Sequence, residues 1–322
     1  MKVSVLVPIY GVEKYIKQCA QTLFAQTYFD IEYVFVDDCT PDCSVEVLQQ
    51  VLAEYPQRKN QVRIIRHKHN RGLGAARKTA FEAATGDFVM NVDSDDYLAL
   101  DAVEKMVENQ QQTGADIVSG AYCSHYENEQ IVRRSEPDLS RETSLKLMLI
   151  QNTLLPHIWA RLIRRSLYLD HEITSLEGIN MAEDMALTPR LIHAARSISY
   201  IDDITYYYRD DSSASTFANH LSAKHVESYL KANQVLWLYF RKNDESNEFL
   251  TAFQIGMLNT YYHALAGDFS LPQIKALLSY QPQSFVFRCL HGLLARKQTL
   301  SLLRFAYLTV KWCYKTLIAS FG

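Results

Sequence analysis

The sequence predicts an α/β fold, a mostly parallel sheet flanked by helices, followed by an α-helical C-terminal region. Short apolar runs alternate with helical spacings over the first 110 residues. Several of those runs end in acids or aromatics, where open α/β sheets gather ligands. From about Leu221 onward the apolar spacing is helical throughout.

Val3 to Pro8 is an apolar run, and Val12 to Ala25 has helical spacing. Ile31 to Val36 reads as a second strand, with a helix over about Ser44 to Glu54. Val62 to Ile65 and Gly74 to Ala84 form the third pair, and Phe88 to Val92 and Asp101 to Thr113 the fourth. Strands separated by helices imply parallel pairing through right-handed crossovers. Ile117 to Tyr126 and Ile198 to Tyr208 read as further strands, with helices at about Thr143 to Gln151 and Ala182 to Ala195. Asp210 to Ser215 is a polar joint before the helical region.

The chain has 322 residues and a formal charge of −3, so no global field points to nucleic acid. Six cysteines, at 19, 39, 43, 123, 289 and 313, lack paired spacing and read as reduced and structural. The N-terminus enters the first strand at once, without a signal peptide. No apolar stretch approaches the ~18 residues of a membrane span. Residues 269–322 hold seven Lys or Arg and no acid, and Lys297, Arg304, Lys311 and Lys315 form a helical stripe. The stripe predicts a peripheral protein on the cytoplasmic face of an inner membrane, drawn to anionic lipid. The alternative is a helix packed on its own domain with a solvated basic edge.

The chemistry concentrates at strand ends. In Asp93-Ser-Asp95-Asp96, Asp93 and Asp95 are two residues apart and share a side of an extended chain. Neighbouring carboxylates repel unless a cation lies between them, and hard oxygens suit Mg²⁺ or Mn²⁺ with substrate phosphates. Alternatively, one of them caps the helix beginning near Leu100. Pro8-Ile-Tyr10-Gly11 offers an aromatic for stacking or for packing. Asp38, ending the second strand, either accepts a hydrogen bond from a pyrimidine imide or caps the next helix. The glycine-containing turn Asn70 to Arg77 supplies Arg71 and Arg77 to phosphate or acid, without Walker or dinucleotide spacing. Glu183 and Asp184 stand at a helix start, where acids also favour the macrodipole. The segment Trp159 to Arg165 either lines an acceptor cleft or forms a helix with a solvated basic face. Tyr206-Tyr-Tyr-Arg209 ends a strand with aromatics and a cation.

In order and spacing, Val3 to Tyr10, Val34 to Asp38, Asn70 to Arg77, Asp93 to Asp96, Glu183-Asp184 and Tyr208-Arg209 resemble the family-2 glycosyltransferases. The resemblance implies the A-type (GT-A), Rossmann-like fold and inverting transfer of a sugar from a nucleotide donor, by default UDP-linked, to a glycan or lipid-linked glycan hydroxyl. It implies that Pro8, Tyr10, Asp38, Arg71, Arg77 and Asp93 bind the donor. Asp95 with Asp93 would hold Mn²⁺ or Mg²⁺, and Asp184 is the candidate base, with Glu183 as its competitor. Trp159 and Arg209 are candidate acceptor contacts. Residues 1–215 would form the transferase domain, with 1–98 its nucleotide half and 99–215 its acceptor half, and 216–322 the helical region. The sequence departs from the family pattern at Gly11, Cys39-Thr40 and Lys78, all near the nucleotide loops. A silent nucleotide-binding scaffold and a sugar nucleotidylyltransferase are the alternatives, the second lacking a glycine-rich loop after strand one.

Overall fold

The computed structural model describes residues 1–126, 129–133, 140–150, 154–210 and 223–263. The chain divides into two units, Met1–Asp138 with His157–Asn219, and Leu139–Pro156 with His220–Gly322.

The first unit holds every described strand. In chain order these are β1 (Val3–Ile9), β2 (Ile31–Asp37), β3 (Val62–Arg66), β4 (Phe88–Asn91) and β5 (Tyr97–Leu98). There follow β6 (Ile117–Tyr126), β7 (Glu129–Arg133), β8 (Arg161–Arg164) and β9 (Ile198–Asp210). They form one sheet in the order β3-β2-β1-β4-β8-β6-β9-β5, with β7 paired to β6. The β3-β2-β1-β4 half is parallel. β8 enters antiparallel to both β4 and β6, which makes the sheet mixed beyond its parallel half. β6 and β9 are parallel, and β5 returns antiparallel on β9.

β1 and β2 are buried along their whole length, as the strands of a sheet covered on both faces are, and their few polar residues, among them Ser4 and Glu32, are buried with them. α1 (Ile16–Phe24) places Ile16, Cys19, Ala20, Leu23 and Phe24 on one buried stripe at helical spacing. Phe24 meets Tyr33 edge-on at 5.4 Å, tying that helix to β2. α2 (Ser44–Ala53), α3 (Leu73–Ala83) and α4 (Ala102–Thr113) follow β2, β3 and β5. α4 ends at Gly114, whose φ of 70° makes it a left-handed helix stop.

Trp159 to Arg165 corrects one expectation. Residues 161–164 form a central strand instead of a helix with a solvated basic face. Arg161 is 0% exposed and bonds His157, and Arg164 pairs with Asp116 at 2.7 Å. Two arginines hid the strand, because each meets a specific partner inside the protein rather than water. α6 (Arg165–Asp170) follows directly.

The second unit contains α5 (Arg141–Leu149), and after α7 (Glu183–Ala194) of the first unit come α8 (Ala223–Asn243) and α9 (Glu248–His263). The sequence predicted one boundary at residue 215, with α5 in the first domain. α5 instead groups with the C-terminal helices: Leu145, Met148 and Leu149 are buried, and Lys146 pairs with Glu248 of α9. The basic stripe of residues 297–315 lies outside the described residues. Among the described residues no helix is long and apolar enough to cross a membrane.

Candidate active site

The candidate site lies at the carboxyl ends of the parallel strands. After β4 the chain turns through Asp93, Ser94, Asp95 and Asp96, closed by a bond from the Asp96 N–H to the Asp93 carbonyl at 3.0 Å. Neither Asp93 nor Asp95 caps α4, whose N-cap is Asp101. Asp93 is a quarter exposed and bonds Arg77 at 2.7 Å. Asp95 is exposed at the surface of a crowded turn, and that crowding with the Asp93 charge pushes its pKa up to about 6. Asp96 is buried, with Oδ2 accepting from the Tyr206 hydroxyl at 2.8 Å and Oδ1 from the Arg209 N–H at 2.8 Å. Burial, then Asp95 and Asp93, push its pKa well up. Asp96 and Tyr206 were legible as members of the acidic turn and of a strand ending in tyrosines, but with no role of their own.

The acids at the start of α7 come to the same place. Arg77 projects from α3 and is 2% exposed. Its Nη1 donates to Glu183 at 2.7 Å and to Asp184, and its Nη2 donates to Asp93. The sequence expected Arg77 on the donor; it is instead buried against three carboxylates, so it organises acids and does not present a free cation to a phosphate. Asp184 Oδ2 also accepts from the Ile158 N–H at 3.2 Å. Glu183 is the more buried acid, and burial with the Asp184 charge pushes its pKa up to about 8. Burial raises Asp184 as well, opposed by Arg77. The residue before this pair, Ala182, holds φ +61° and forms the helix N-cap without a side-chain bond. A non-glycine residue in the left-handed region is strained by about 1–3 kcal/mol and persists where its surroundings fix it.

Asp38 does not cap α2, whose N-cap is Cys43. Its Oδ1 accepts from the Arg71 N–H at 2.8 Å and contacts His67 Nδ1 at 2.7 Å, and its Oδ2 accepts from the Gly72 N–H at 2.7 Å. Nε2 of the same imidazole meets Thr79 Oγ1 of α3 at 2.9 Å. Gly72 carries φ +88°, and a Cβ there would lie 2.2 Å from the Asn180 side chain. Gly74 needs its bareness too, because a Cβ would lie 2.2 Å from the Leu176 carbonyl oxygen. These two close approaches dock the 176–180 segment on the loop. Arg71 reaches across to Glu177 at 2.9 Å, a solvent-facing ion pair.

Pro8 is buried in β1, and Tyr10 just beyond that strand is 52% exposed, leaving its ring open to a ligand. Trp159 does not line an open cleft: it is 6% exposed and stacked between His157 at 3.9 Å and Tyr206 at 4.6 Å. The Arg209 guanidinium lies over the Tyr15 ring at 5.4 Å and the Tyr97 ring at 5.1 Å. Its Nη2 donates to Gln18, and its charge opposes the rise in the Asp95 pKa.

Fold and site together define a GT-A enzyme scaffold with a cluster of carboxylates at the strand ends. The model of glycosyl transferase family 2 matches residues 4–171, and the chain belongs to that family. Two Bacillus subtilis proteins are similar. The uncharacterized glycosyltransferase EpsJ is 28% identical over 271 residues, 80% of this chain and 76% of its own. The putative glycosyltransferase EpsH is 30% identical over 254 residues, 77% of this chain and 71% of its own. Among solved structures, residues 1–349 of S. aureus TarS in complex with UDP-GlcNAc superpose with a TM-score of 0.74 at 21% identity. That match covers 98% of this chain and 92% of the other.

Proposed function

We propose that the chain is an inverting, non-processive transferase that moves a sugar from a UDP-linked donor to a hydroxyl of a glycan or lipid-linked glycan. The reading is carried by one observation: Asp93 from the β4 turn and Glu183-Asp184 from α7 converge on the single guanidinium of Arg77. A donor-side acid and an acceptor-side base are thereby held in one rigid cluster. UDP is favoured because TarS, similar in fold, was solved with UDP-GlcNAc.

Tyr10 offers the stacking face for the base, and Asp38, held by His67 and two loop amides, is the fixed acceptor toward its imide. Arg71 is the partly exposed cation of the same loop, free to exchange Glu177 for a phosphate. Asp95 and Asp93 supply hard oxygens of the kind that hold Mg²⁺ or Mn²⁺ by one or two carboxylates plus substrate phosphates, and among the described residues no group of three such side chains converges to hold an ion by itself. Such an ion, when bound, would offset charge developing on the leaving nucleotide diphosphate. Arg209, beside the turn, adds a second positive charge to that end of the site.

Asp184 is the base. It is the more exposed of the acid pair, with side-chain exposure of 19% against 10% for Glu183, and its orientation is fixed by Arg77 and the Ile158 amide. It takes the proton of the acceptor hydroxyl as that oxygen attacks the anomeric carbon from the side opposite the diphosphate. One C–O bond forms, one breaks, and the anomeric configuration inverts. Asp184→Asn removes the proton acceptor while preserving size. Transfer from UDP-sugar is expected to fall about 10²–10⁴-fold, with UDP affinity, measured by calorimetry, unchanged. Full turnover in this variant would refute the assignment.

A further inference from the structure

We infer that Tyr206 is a positioning residue for the carboxylates of Asp93 and Asp95, its hydroxyl locking the acidic turn onto β9; this rests on the reading of that turn as a cation and diphosphate site. β4 spans only Phe88–Asn91, so the turn two residues later lies beyond the strand ladder and needs other anchors. The Tyr206 hydroxyl supplies them. Its oxygen accepts from the Asp93 N–H at 3.1 Å, and its proton is donated to Asp96 Oδ2 at 2.8 Å. The Arg209 N–H, three residues along β9, fixes the other oxygen of Asp96. The Asp96 N–H donates back to the Asp93 carbonyl, so both ends of the turn are bound and Asp95 is the exposed residue between them.

The anchor itself is fixed. Tyr206 is 0% exposed, and its ring lies 4.6 Å from the Trp159 ring at an interplanar angle of 15°. Arg77 restrains the Asp93 side chain while Tyr206 restrains its backbone. Outer partners of this kind orient ligating groups and change metal affinity by about 10–100-fold when lost. The Tyr206 oxygen alone bonds both Asp93 and Asp96, and Tyr206→Phe deletes that atom while keeping the ring on Trp159.

The test titrates Mn²⁺ into the full chain with saturating UDP, read by the loss of free-ion EPR signal. Melting temperature and UDP affinity in EDTA are measured in parallel. Leu162→Ala, a buried β8 substitution outside the turn, is the control for loss of stability. Tyr206→Phe is expected to weaken Mn²⁺ binding about tenfold or more. UDP affinity in EDTA should stay within about twofold, because base recognition sits on a separate loop. An unchanged Mn²⁺ affinity in folded Tyr206→Phe overturns the inference alone. An equal weakening in Leu162→Ala also overturns it, since loose packing would then suffice. If the wild-type chain with UDP takes up no Mn²⁺, the metal reading falls first and the inference with it.

Discussion

Arg77 faces Asp93, Glu183 and Asp184, so with all three ionised two negative charges stand uncompensated in a buried setting. A proton retained on the α7 pair relieves part of that repulsion, in line with the rise of Glu183 to about 8. The two acids titrate as a unit, and base catalysis needs the pair to have released its proton. kcat/KM is therefore expected to rise with pH up to about 8 and then level. Glu183→Gln removes the like charge beside Asp184. Its rising limb is expected to move to lower pH, with transfer reduced but present. A profile measured over that range in both proteins checks this, and an unmoved limb would show that Glu183 does not set the proton affinity of Asp184.

Among elements, the amino ends of β1 and β2 are held by a buried acid away from the site, Glu32. Glu32 of β2 accepts from Ser4 of β1 and from the Thr85 and Gly86 amides before β4, and pairs with Lys2 at 2.9 Å. Burial alone would raise its pKa, but these donors overcome it and hold the carboxyl down at about 2. A carboxyl depressed on folding stabilises the protein fully above its ordinary value of about 4.5 and loses that contribution as pH falls through about 2. Glu32→Gln is expected to cost about 2 kcal/mol near neutrality and almost nothing at the acid end, by urea unfolding at both. The strands joined here were legible in the sequence, because Val3–Ile9 and Ile31–Asp37 are mostly apolar, with Ser4 and Glu32 the polar exceptions near their amino ends. β8 was not, because Arg161 and Arg164 mask a central strand until His157 and Asp116 are seen beside them. β5, of two residues, is too short to carry a period. In the site, Asp93, Asp95, Glu183 and Asp184 were legible as acids at element ends. The direction of Arg77 was not, since its partners Glu183 and Asp184 lie 106 and 107 residues away. The role of Tyr206 was hidden for the same reason: its hydroxyl partner Asp96 is 110 residues distant.

For the whole molecule, the first unit gathers its donor loops on the parallel half of the sheet and its acid pair on α7, which follows β8. Asp38 and its loop follow β2 and β3, the acidic turn follows β4, and both occupy carboxyl ends where side chains from different strands converge. If the two parts recognise different pieces of one donor, as proposed, a nucleotide diphosphate needs both, and an ion held at the turn would couple them. UDP is thus expected to raise the melting temperature in the presence of Mn²⁺ and to lose most of that effect in EDTA. A ligand at about a hundredfold excess over Kd adds about 2.7 kcal/mol to native stability, which reads as a shift of several degrees. GDP, CDP and dTDP, tested alongside, are expected to shift less, because Tyr10 and Asp38 address the base. Stabilisation by UDP that survives EDTA intact would separate nucleotide binding from the acidic turn and leave the turn's role to its protein contacts. Equal stabilisation by all four nucleotides would place recognition in the diphosphate and remove the base from the assignment of Tyr10 and Asp38.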